Sequence, residues 1–86
     1  MRITQSTREK LQAILRAQDF SVRYEKGNFQ GGHCIVMAQR MILINKFHPL
    51  ESKINTLAEI IRDIDIDEEL LTPDQLKTVQ KLKSNQ

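Results

Sequence analysis

The segment GGHCIVMAQRMILINKFH, residues 31 to 48, holds the side chains best suited to chemistry: His33, Cys34, Asn45 and His48. A cysteine reacts, or binds metal, as its thiolate, and populating that form at neutral pH takes a base or a local positive field. His33 adjoins Cys34, but neighbours on a strand point to opposite faces, so it cannot be that base. His48 can, if a hairpin sets Asn45 across from Cys34 and the following loop folds alongside. That arrangement would make a thiol enzyme or a small ligand-binding protein centred on Cys34, Asn45 and His48. The competing reading is plainer. Cys34 stands in an apolar run, where a cysteine behaves as a small buried hydrophobe, and the run favours that reading over catalysis.

Other ligand chemistries lack their parts. Structural zinc wants four ligands, often in closely spaced pairs, and this chain has one cysteine and two histidines. In DIDIDEE, Asp63, Asp65 and Asp67 alternate as calcium ligands do, but no central glycine follows and Leu70–Leu71 is apolar. GNFQGG lies between two strands rather than ahead of a helix, which makes it a loop and not a phosphate cradle. No metal and no cofactor are expected. Arg23, Lys26, Arg40, Lys46 and Lys53 are candidates for contacting nucleic acid, with Tyr24, Phe29 and Phe47 as stacking residues. They are scattered over loops and one strand, so a solvated basic surface accounts for them better.

Composition sets the frame for these side chains. Eighty-six residues make one small domain, 1–86, because so short a chain cannot support two cores. Its net charge is +2, and the sign is uneven: residues 1–53 carry nine Lys/Arg against four Asp/Glu, and residues 54–86 four against seven. A lone cysteine excludes an internal disulfide, leaving packing or self-association to supply stability. No apolar stretch approaches the ~20 residues of a membrane span. MRITQSTREK lacks a signal-peptide core, and with the lone cysteine this points to a reducing cytoplasm.

The periodicities predict an α+β order. Ser6 and Glu9 form a capping box opening a helix that carries Leu11, Ile14, Leu15 and Gln18 on one side and ends near Asp19. Ser21–Lys26 alternates as a half-buried strand with Val22 and Tyr24 inward. Gly27–Asn28 signals a turn and Gly31–Gly32 a flexible point, with Phe29 between them as a plug on the core. Strands His33–Ala38 and Met41–Asn45 are expected to meet about Gln39–Arg40, pairing Met37 with Ile42 and Ile35 with Ile44. Those four then share a core face, and the three strands form an antiparallel meander.

The sheet's other face is also apolar, with Cys34, Val36, Ala38, Met41 and Leu43, which an ordinary one-sided sheet would not show. Pro49 opens an amphipathic helix bearing Ile54, Leu57, Ala58, Ile61 and Ile64, expected to lie across the Ile/Met face. DIDIDEE is its solvated acidic end and a linker. Thr72–Pro73–Asp74–Gln75 starts a short last helix with Leu76, Val79 and Leu82, frayed from about residue 84.

RYEKGNFQGGHC (23–34) and INKFHPLESKINTLAEII (44–61) together resemble a family of small bacterial proteins of Bacteroidetes type. That family carries motifs of the kind RYEKGNF-GG-C and INKF-PLE-RINTL and no established activity. ILIN leading into Thr56–Leu57–Ala58 is more weakly similar to anti-repressor zinc metallopeptidases. There the helix continues into a T-L-A-H-E-x-x-H motif; here Glu59–Ile60–Ile61–Arg62–Asp63 follows. The resemblance implies the scaffold and excludes the metal chemistry.

The second apolar face is the feature that suggests a role, since contiguous exposed apolar surface on a small domain usually marks an interface. Val36, Met41 and Leu43 are its central residues. A non-enzymatic interaction domain, pairing as a homodimer or with another protein, is the expectation. Coverage of that face by the first and last helices within one chain is the alternative.

Overall fold

The computed structural model describes residues 2–26 and 33–84. Three helices, α1 (Gln5–Ala17), α2 (Leu50–Asp63) and α3 (Pro73–Ser84), accompany strands β1 (Ser21–Glu25), β2 (His33–Val36) and β3 (Met41–Asn45). The fold is α+β. The turn and plug expected at Gly27–Asn28, Phe29 and Gly31–Gly32 lie outside the described residues.

The sheet is mixed, which corrects the antiparallel meander. Its order is β1-β3-β2, with β1 parallel to β3 and β2 antiparallel to it. MILIN accounts for the central position of β3. It is apolar on both faces, so it gains most from neighbours on both sides, whereas SVRYE alternates charge with apolar residues and suits an edge. The parallel register sets Val22 beside Ile42 and Tyr24 beside Ile44, extending one apolar row across the sheet.

The hairpin register also differs from the expected one. Val36 pairs with Met41, Cys34 with Leu43, Ile35 with Ile42 and His33 with Ile44. A tight turn at Gln39–Arg40 was the premise of the other pairing. Instead Met37–Gln39 makes a turn of 3₁₀ helix and Arg40 takes a left-handed conformation, φ 47°, so β2 ends at Val36. The slide is by two residues, which preserves which side chains share a face. Ile35, Ile42 and Ile44 stay together, while Met37 leaves the strand and is 58% exposed.

Both α1 and α2 pack on the Val22/Tyr24/Ile42/Ile44 side. Gln12 and Arg8 of α1 meet the Tyr24 hydroxyl at 2.6 and 3.0 Å, and Lys53 of α2 stands 5.6 Å from the Tyr24 ring centre. Leu11, Ile14 and Leu15 join Ile54, Leu57, Ala58, Ile61 and the two sheet isoleucines in one buried cluster. Val79 and Leu82 bring α3 into the same cluster, and Leu76 is half-buried.

The caps are a mixed result. Thr4, not Ser6, caps α1, its hydroxyl accepting from the Thr7 amide at 3.1 Å, and Glu9 faces Arg8 instead of the helix start. Either residue type can cap, and starting at Thr4 lengthens the helix by two residues. Pro49 is the residue before α2 and not its first. For α3 the expected box is complete: the Gln75 amide donates to the Thr72 hydroxyl at 3.1 Å and the Thr72 amide to the Gln75 side chain at 3.0 Å.

The linker after α2 is tied down by a residue on the apolar stripe of α1. Gln18 is 5% exposed. Its amide nitrogen donates to the Asp67 carbonyl at 3.0 Å and its amide oxygen accepts from the Asp67 N–H at 2.8 Å. Both polar atoms of a buried side chain are thereby satisfied. Asp67 in turn accepts from the Glu69 amide at 3.1 Å, so the acidic linker keeps its five carboxylates exposed, as expected, while its backbone is held in place.

Candidate functional site

With both core-layer helices on one side, the far side of the sheet is covered by no helix among the described residues. Val36 and Met41 are directly paired, as are Cys34 and Leu43, and all four are half-buried. Residues opposite one another share a face, so the four form a compact apolar block. Ala38 has left the strand and is exposed in the 3₁₀ turn. Arg23 flanks Leu43 on β1, and Arg23 and Glu25 form an ion pair at 3.6 Å on this same face. Among the described residues, α3 is not on this side: it packs on α2, and the Lys83 ammonium donates to the Arg62 and Ile64 carbonyls at 3.2 and 3.0 Å.

The structure changes one pairing expected at the thiol centre. Cys34 stands opposite Leu43 and not Asn45, because the two-residue slide moves Asn45 further along the ladder. The Asn45 side chain is engaged locally, accepting from the Phe47 amide at 3.0 Å to shape the turn that follows β3. His48 lies in that turn, half-buried, with its backbone N–H donating to the Asn45 carbonyl at 3.2 Å. Among the described residues, no group of three or more His, Cys, Asp or Glu is gathered to hold a metal ion.

The five basic candidates are dispersed. Arg23 points to the open face, and Lys53 stands on the helix side over Tyr24. Lys26 and Lys46 share the far end of the sheet, where the Lys46 amide donates to the Glu25 carbonyl at 3.0 Å, and the Lys46 ammonium lies 5.2 Å from the Phe47 ring centre.

Arg40 is at the opposite end, turned towards the last carbonyls of α1. Its guanidinium donates to Gln18 O and, at 3.3 Å, to Asp19 O, and its plane lies 4.2 Å from the Phe20 ring centre. A cation placed on a helix C-terminus and over an aromatic face is stabilising. Arg40→Ala should cost about 1–2 kcal/mol in urea unfolding, and Arg40→Lys should recover only part, since an ammonium cannot stack or fork. An unchanged midpoint in Arg40→Ala would refute this anchoring role.

Comparison with protein-family models, curated proteins and solved structures finds no match. No helix among the described residues is long and apolar enough to cross a membrane.

Proposed function

We propose that this is a non-enzymatic binding domain that pairs with a second copy of itself through the open face of its sheet. The carrying observation is the Cys34, Val36, Met41 and Leu43 block on the side away from the helices. Charge supports a second copy as the partner. The block is bordered by one cation and one anion, Arg23 and Glu25, so a two-fold pairing can set each arginine against the partner's glutamate. A small domain also buries a modest fraction of its surface alone, and pairing adds to it.

Leu43→Lys tests this directly. A half-buried strand residue tolerates lysine in the monomer, because the ammonium reaches water at the end of its aliphatic stem. At the centre of a pairing face the same ammonium must be desolvated without a partner. The expected result is an unchanged fold by circular dichroism and at least a tenfold weaker dimer by sedimentation, or about 1.4 kcal/mol. A wild-type chain that remains monomeric at millimolar concentration, or a variant that loses stability without changing mass, would overturn the proposal.

A further inference from the structure

On the other side of the molecule the three helices enclose a cleft of about 410 Å³. Each helix contributes one cation and part of an apolar floor: Lys10 and Leu11 from α1, Arg62, Ile54 and Ala58 from α2, Lys81 and Leu82 from α3. Ile3, 46% exposed, forms an uncovered apolar wall, and Thr7, Asn55 and Thr78 add neutral hydrogen-bonding groups. Among the described residues, no carboxylate lines the cleft. Lys10 is held by Asp74 at 3.0 Å, whereas Arg62 and Lys81 form no ion pair among the described residues. Three cations from separate helices are thus brought to one opening above an apolar floor.

We infer that this cleft binds a small amphipathic anion, with its acidic group between Arg62 and Lys81 and its apolar body against Ile3 and the floor. The volume of the cleft is within the range of small-molecule sites. A charge-assisted, forked contact from Arg62 suits a carboxylate or phosphate oxygen pair. Neither inorganic phosphate nor a neutral alcohol uses both halves of the site.

Titrating the isotopically labelled full chain with octanoate, octanol and inorganic phosphate, read by amide NMR shifts, tests this. Octanoate should shift amides of all three helices around Lys10, Arg62 and Lys81 and bind about tenfold more tightly than either control. Arg62→Gln, and separately the exposed Lys81→Gln, should reduce octanoate binding towards that of octanol while leaving the melting temperature unchanged. Equal binding of octanoate and octanol, shifts centred on the open sheet face, or unaltered affinity in both folded variants would each overturn the inference.

Discussion

Ile44→Asp is expected to abolish cooperative folding. Ile44 is 1% exposed on the central strand, beside Tyr24 on one flank and His33 on the other. An aspartate there must either bury an unpaired carboxylate or take up a proton at neutral pH, and both cost several kcal/mol. Loss of the isoleucine packing adds about 2 kcal/mol or more. The stability of a domain this small is on the order of 5 kcal/mol, so the sum removes most or all of it. The check is a flat thermal melt and collapsed amide dispersion in an NMR spectrum, against a sigmoidal melt for wild type. A folded Ile44→Asp protein would mean that Ile44 faces solvent and the strand register is wrong.

Gln18→Ala should have the next largest effect. The substitution deletes two hydrogen bonds to one backbone unit, each worth about 0.5–1.5 kcal/mol net, and leaves a gap at the end of the apolar stripe. A loss of about 2–3 kcal/mol in urea unfolding is expected, with faster hydrogen exchange at the Asp67 amide. Gln18→Leu separates the contributions. It retains the packing and should show the same fast exchange at Asp67 with a smaller loss of stability. Unchanged protection of Asp67 in either variant would show that the clip is not formed in solution.

Gln18 also marks where the sequence was legible and where it was not. The stripe Leu11–Ile14–Leu15–Gln18 is plain in the spacing, and all four residues are buried. A glutamine on that stripe signals a buried polar contact, but nothing local identifies Asp67, 49 positions away, as its partner. The same limit explains the sheet. Alternation assigned faces to Val22, Ile35, Ile42 and Ile44 correctly, because side-chain direction is a property of each strand alone. Strand order depends on which edges meet, and alternation is silent on that.

The hairpin failed for a chemical reason. Gln39–Arg40 lacks the glycine or asparagine of a two-residue turn, and a longer connection with Arg40 in the left-handed region replaces it. Thr72–Gln75 was readable because a capping box is complete within four residues. Of the candidate site, the apolar block Cys34, Val36, Met41 and Leu43 was visible as a second apolar face. The cleft was not, since Arg62 and Lys81 become neighbours of one opening only when α2 and α3 pack.

The parallel pairing of β1 with β3 has a further consequence for chain entropy. Paired residues in that ladder are 20 positions apart, Ser21 with Met41, whereas the hairpin closes over 5, Val36 with Met41. Two doublings of loop length add about 1.2 kcal/mol of closure cost, and the hairpin, with its closer ends, carries less of it. The α1–β1 segment therefore acts as a tethered ligand of the rest of the chain, held at an effective concentration set by its connection. Its attachments, the β1–β3 ladder, the α1–α2 packing, the Gln18 clip and the Arg40 anchor, all reach residues on the far side of that connection. Weakening any one of them lowers the affinity of one half of the chain for the other.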